Sequence, residues 1–349
     1  MQKRLTQFQF EKQSLLLPTV CKTPPLHIQI EPTNICNLKC PLCVTHQIAQ
    51  GQKAHLTLEK FRFLIDKFDS HLRIYLTKFG EPFSNPDIFK MIQYAKQRGH
   101  HICLSSNFDI DPSLIPEIIA SAPDELIISL DGFSQQTNNT YRIGSNFENI
   151  VQNMLTLHHK KKERNAAAPK ITWQYLVNRF NEHEMAQAKE FAKKYGINIV
   201  FDSFGLGEDM PEFDFGDMER LKARWLPQDT KHTRPFFKGE INQRLANTVC
   251  LFLWRSMSIN ADLKVTPCCH TYTKESFMGD LAENSVMEIW NNEKYQSARR
   301  LFNHKVCADK GVRTICHACP NFSKRKTKAQ HLRDQVSFLY AGILKRLRG

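Results

Sequence analysis

The apolar positions gather in six short β-rich runs, at residues 27–30, 73–77, 101–105, 126–130, 171–177 and 197–202. These runs predict strands. Between the runs the apolar spacing lengthens to three and four, which predicts helices beginning near Leu58, Pro86, Ser113, Phe147 and Glu182. Asn85-Pro86 is read as a cap followed by proline at the first helical position. Six β/α units in succession predict a parallel sheet, either open and doubly wound or part of a barrel.

The alternation stops after Phe204, where an acidic aromatic stretch (205–217) and a Pro/Lys/Arg-rich one (226–238) read as a linker. The pattern divides the chain into a lead (1–26), a β/α core (27–204), a linker (205–246), a small cysteine-bearing domain (247–323) and a basic tail (324–349). In the tail Val336, Leu339, Tyr340, Ile343, Leu344 and Leu347 recur at helical spacing among arginines and lysines. An amphipathic helix docked on the body by that stripe is the reading preferred to a membrane-surface contact.

The 349 residues, 41% of them hydrophobic, can bury a sizeable core. Apolar runs are too short to span a membrane, and the first 25 residues are too polar for a secretory signal, so the expected location is the cytoplasm. There disulfides are disfavoured and clustered cysteines point to metal or catalysis. The net charge of +13 is uneven: residues 324–349 hold eight Lys/Arg against one Asp, or +7, which leaves only +6 for the other 323 residues. So mild an excess weighs against the alternative reading, a zinc-stabilised nucleic-acid-binding protein, and no nucleic-acid partner is expected.

Cys36, Cys40 and Cys43 follow the first strand, in a loop opened by Pro32-Thr33. In a parallel β/α sheet the C-terminal strand ends form the working face. Three thiolates from one such loop suit three irons of a [4Fe–4S] cube and leave the fourth iron open; with His46 they would also suit a Cys₃His zinc site. The other strand ends favour the cube. Phe79-Gly80-Glu81-Pro82, Ser105-Ser106-Asn107, and Ser129 with Asp131-Gly132 share the same mouth and would orient a small polar ligand, which a structural zinc does not need.

On these residues the chain resembles the radical S-adenosylmethionine (radical SAM) enzymes, whose signature is Cys-x3-Cys-x2-Cys. The resemblance implies a partial (β/α)6 barrel of TIM type in which Cys36, Cys40 and Cys43 hold a [4Fe–4S] cluster that binds S-adenosyl-L-methionine. It also implies cofactor contacts at Gly80, Glu81, Asn107, Ser129 and Arg142. Phe79 and Phe108 depart from the family's glycines, so both rings must turn away from the cofactor.

The later cysteines, Cys250, Cys268, Cys269, Cys307, Cys316 and Cys319, read as zinc or iron–sulfur ligands by spacing alone. Their place after such a core resembles the SPASM/twitch subgroup. This implies one auxiliary [4Fe–4S] cluster on Cys250, Cys268, Cys316 and Cys319. The resemblance further implies an oxidoreductase or maturase that abstracts a substrate hydrogen atom, with the auxiliary cluster as electron acceptor and a flavodoxin or ferredoxin as reductant. A sugar- or aminocyclitol-type small molecule or a peptide side chain would be the substrate; the short lead favours a small molecule, or a peptide held without a separate recognition domain. For the general base the sequence offers only Asp202 and His270, each read first as structural.

Overall fold

The computed structural model describes residues 16–48, 53–208, 210–233, 250–302 and 311–319. The tail expected as a helix lies outside them. The elements run β1 (His27–Ile30), α1 (Leu58–Ile65), β2 (Arg73–Leu76), α2 (Ile88–Gln97), β3 (His101–Ser106), α3 (Ile115–Ser121), β4 (Glu125–Ser129), α4 (Gln135–Tyr141), α5 (Phe147–Glu163), β5 (Lys170–Val177), α6 (Met185–Tyr195), β6 (Asn198–Ser203) and α7 (Met218–Trp225). They continue with α8 (Phe252–Arg255), β7 (Ser256–Ile259), β8 (Lys264–Thr266), β9 (Gly279–Asp280), α9 (Val286–Trp290) and α10 (Glu293–Arg300).

Among the described residues the nine strands form one sheet in the order β6-β5-β4-β3-β2-β1-β7-β8-β9. Strands β1 to β6 pair in parallel, each with its sequence neighbour, as an open (β/α)6 partial barrel. β7 adds in parallel to β1, and the β7-β8-β9 meander is antiparallel. The cysteine-bearing C-terminal segment therefore extends the core's own sheet.

Strand alternation divides the two faces. Ile28, Ile30, Ile74, Leu76, Ile102, Leu104, Leu126 and Ile128 are buried, in one cluster with the apolar stripes of α1, α2, α3 and α5. The alternate positions, among them Gln29, Arg73, Tyr75, His101, Glu125 and Gln174, are only partly buried. The inner wall of the partial barrel is thus polar.

Three local expectations are corrected. α2 begins at Ile88, two residues later than expected, with Asp87 as its N-cap; Asn85 Oδ1 still accepts from Asp87 N at 2.8 Å, as a cap does, while its Nδ2 donates to the Pro32 and Leu56 carbonyls (2.6 and 2.9 Å) and ties the second strand end to the first. The QQTNNTY segment, without an apolar stripe, forms α4. Ser134 caps it, and Ser134 and Thr137 both donate to Glu184 Oε1 at 2.9 Å. The described part of the expected linker is packed: Phe204, Leu206 and Trp225 form a buried cluster, and Glu212 accepts from Tyr272 N and Thr273 Oγ1 (2.5 and 2.7 Å). The described part of the lead, residues 16–26, is tied down as well. Asn291 pairs with the backbone of Cys21 in both directions (2.7 and 2.9 Å), and Arg299 Nη1 donates to Thr19 O.

Candidate functional site

Gly80 has φ +81°, and a Cβ there would lie 2.5 Å from the Thr33 carbonyl oxygen and 2.8 Å from that of Ile35. Only glycine fits both the dihedral and the approach. Glu81 N donates to Ile35 O at 2.8 Å, so the end of β2 grips the base of the cysteine loop. The Glu81 carboxylate is buried and accepts from Phe83 N (3.2 Å), Ser106 Oγ (2.7 Å) and Asn107 N (2.8 Å). Burial pushes Glu81 up to about 7 against these bonds. Its side chain is a bracket between the β2 and β3 loops.

Asn107 carries the bracket onward, donating to Asn37 Oδ1 at 2.8 Å, while its Nδ2 lies 3.8 Å from Cys36 Sγ. The Cys-x2-Cys turn closes with Cys43 N donating to Cys40 O at 3.1 Å, and Lys39 N donates to Ile143 O at 2.9 Å. Burial pushes Cys36 up to about 11 and Cys40 to about 12; Cys43 adds to the rise at both and Cys36 to that of Cys40, while Arg142 opposes it at both. A positive centre among the thiols would bring these values down.

The two aromatic departures are accommodated. Phe79 packs edge-on against Phe213 and Tyr272 (6.2 and 5.5 Å between centroids). Phe108 takes the left-handed conformation of a glycine, φ +59°, with its ring buried beside Phe83.

Ser129 ends β4 with its hydroxyl 3.5 Å from that of Ser105. Asp131-Gly132 is more than a turn. Asp131 is fully buried, accepting from Leu176 N at 2.8 Å and Arg142 Nε at 2.7 Å, and its own N–H donates to Asn138 Oδ1 at 2.9 Å. Arg142 is therefore a cation only 12% exposed and held by a fully buried carboxylate, with its charge within reach of Cys40. Asp202 is exposed on β6, and His46 is exposed beside the first turn. His270 is partly buried.

The second group draws Cys250 from the start of α8, Cys268 from just after β8, and Cys316 and Cys319 from a 3-10 turn capped reciprocally by Thr314 and His317. Cys319 N donates to Cys316 O at 3.4 Å, repeating the bond of the first turn. Burial and then the neighbouring thiols raise Cys250 to about 12, through Cys268 and Cys319, and Cys316 well above its ordinary value, through Cys250, Cys268 and Cys319. Four thiols thus sense one another. Cys307 lies outside the described residues.

Among the described residues, His101, Cys103 and Glu125 bring three ligand atoms within 4.8 Å of one another. At His101, Cys103 and Glu125, which the sequence reading passed over, Arg73 donates to Glu125 Oε2 at 2.7 Å and takes the place of a cation.

The radical SAM superfamily model matches residues 30–192, and that of an iron–sulfur cluster-binding domain (SPASM) matches 250–320. An AdoMet-dependent heme synthase of Methanosarcina barkeri is 25% identical over 60% of this chain. The antilisterial bacteriocin subtilosin biosynthesis protein AlbA of Bacillus subtilis is 26% identical over 77% of it. The chain spans 60% of the length of each. The solved structure of native anSMEcpe with bound AdoMet and the Cp18Cys peptide has a TM-score of 0.58 at 16% identity, covering 92% of this chain and 99% of that one, a likeness of fold. Both family matches fall on the two cysteine groups and the sheet that carries them, and the chain is an enzyme of the radical SAM superfamily with a SPASM-type iron–sulfur domain.

Proposed function

We propose that the chain oxidises its substrate by hydrogen-atom abstraction, with Cys36, Cys40 and Cys43 holding the [4Fe–4S] cluster that binds S-adenosyl-L-methionine. When bound, these groups supply a carbon-centred radical that takes a hydrogen atom from the substrate. The chain's part is placement and exclusion of water. Gly80 and Glu81 fix the loop from below, Asn107 and Ser129 offer polar groups at the next two strand ends, and Arg142, held by its ion pair with Asp131, would meet the anionic part of the cofactor. Cys250, Cys268, Cys316 and Cys319 would hold the auxiliary cluster as acceptor of the substrate's second electron.

The observation that carries this reading is the pair of thiol groups at neighbouring positions of one sheet, the first rooted in the loop after β1 and the second flanking β7 and β8. The polar inner wall favours a substrate rich in hydroxyl or amide groups, whether a sugar-like small molecule or a peptide side chain; the named relatives make a heme and a bacteriocin. A flavodoxin or ferredoxin would deliver the reducing electron. In the test, anaerobically reconstituted protein is reduced and assayed for methionine and 5′-deoxyadenosine. Formation of both is expected, and their persistence in a Cys36→Ala/Cys40→Ala/Cys43→Ala variant would sink the assignment.

A further inference from the structure

Lys78, two residues beyond β2, reaches across the sheet to the β7-β8 hairpin. Its Nζ donates to Asn260 Oδ1 at 2.6 Å and Thr266 Oγ1 at 2.9 Å. Thr266 Oγ1 donates in turn to the Cys268 carbonyl at 3.2 Å. Two hydrogen bonds therefore separate the ammonium from the backbone of a second-group cysteine. Its charge lies 5.7 and 5.8 Å from the ring centroids of Phe79 and Tyr272, and the side chain is partly buried beside them.

Behind it stands Glu31 at the end of β1, fully buried. Glu31 Oε2 accepts from Ala261 N at 3.2 Å, and Oε1 has no hydrogen-bond partner among the described residues. Lys78 and Glu31 sense each other's charge without closing into a direct bond; Asp262 and Lys53 also face Glu31, and Cys268, Cys269 and Glu212 also face Lys78. A desolvated lysine without a contacting carboxylate is costly, and a methionine of similar length would fill the place without that cost. Burial pulls the ammonium down, while Glu31 and then the cysteines hold it up. The charge is thus tied to the second cysteine group.

We propose that Lys78, with Glu31 as its distant counter-charge, raises the reduction potential of the iron–sulfur group on Cys250, Cys268, Cys316 and Cys319. An added electron makes a thiolate-ligated group more negative, and a fixed cation in a low-dielectric setting stabilises that state more than the oxidised one. This rests on the reading of the second group as an electron acceptor. Lys78 acts through the group's charge and is a positioning residue.

The test is an EPR-monitored redox titration of anaerobically reconstituted holoprotein, with iron counted per chain beforehand. Lys78→Met should lower the midpoint of the second group by at least about 59 mV, a tenfold change in the one-electron equilibrium. Lys78→Arg should restore most of it. Glu31→Gln, titrated at about pH 8 where the Glu31 carboxylate is ionised, should move it the opposite way. Wild-type protein lacking the second group's iron would overturn the function reading itself. Full iron with an unmoved midpoint in Lys78→Met would overturn only the role of Lys78, and if that variant lost iron, an unmoved midpoint in Glu31→Gln would do the same.

Discussion

Cys36, Cys40 and Cys43 occupy eight residues of one loop, whereas Cys250, Cys268, Cys316 and Cys319 are drawn from a stretch of 70. Both groups contain the same Cys-x2-Cys turn, closed by the same backbone bond. They differ in what holds the remaining thiol in place. In the first group Cys36 is four residues away, and the loop takes its shape from Gly80, Glu81 and Asn107 on two other strands. In the second, Cys250 and Cys268 come from opposite ends of the short segment that makes α8, β7 and β8. A local motif thus relies on distant brackets for its orientation, and a dispersed one on the sheet for its existence.

The largest test of that contrast is chemical. Cys36→Ala, Cys40→Ala or Cys43→Ala should each bring 5′-deoxyadenosine formation to background. Cys268→Ala or Cys316→Ala should remove about half of the iron, block substrate oxidation and leave cofactor cleavage within about twofold, since four protein ligands leave no open iron. Cys269→Ala should keep all of its iron. Iron analysis and product chromatography read these outcomes; loss of cleavage in the Cys268→Ala variant would mean that the two groups do not work separately.

The brackets around the first loop come next. Arg142→Met strands the Asp131 carboxylate in the interior and should cost about 3–5 kcal/mol in urea unfolding of the metal-free protein. Asp131→Leu/Arg142→Met together should cost less than Arg142→Met alone, because no unpaired charge is left. Gly80→Ala should cost on the order of 3 kcal/mol, from its positive φ and the 2.5 Å approach to Thr33 O. Normal stability in the Gly80→Ala variant would show that the loop is held by its own sequence.

The smallest effect is a slope. Burial raises Glu31 from an ordinary 4.5 to about 7, so the folded chain binds its proton more tightly than the unfolded one. The stability this proton contributes is fully present below about 4.5 and is lost as pH rises through about 7. Glu81 titrates in the same window with the same sign. Glu31→Gln should therefore remove about half of the fall in stability across it, at most about 1.4 kcal/mol per pH unit. Unfolding midpoints of the metal-free protein, measured at intervals from about pH 5 to 8, give the slope.

Much of this was legible in the sequence where periodicity is strong. The 27–30 run is β1, and the other five strands begin and end within one residue of the expected positions. α4 was invisible because its stability comes from Glu184, 47 residues beyond Thr137; the one local signal was Ser134 ahead of Thr137. The Cys-x3-Cys-x2-Cys spacing located the first group. The bracketing by Glu81 and the pairing of Arg142 with Asp131 needed the folded chain, since each joins different strands. Lys78 and Glu31 carried no motif, and only their meeting across β1, β2 and β7 gives them a role.

β1 lies between β2 and β7, hydrogen-bonded to both along all four of its residues. Were the β7-β8-β9 meander to detach, His27–Ile30 would present a free row of backbone donors and acceptors, backed by apolar side chains, at the flank of an already parallel sheet. Such a rim invites pairing with another chain. Damage to the second module would then surface as self-association of the protein, before any slow loss of its chemistry, and light scattering would register it ahead of an activity assay.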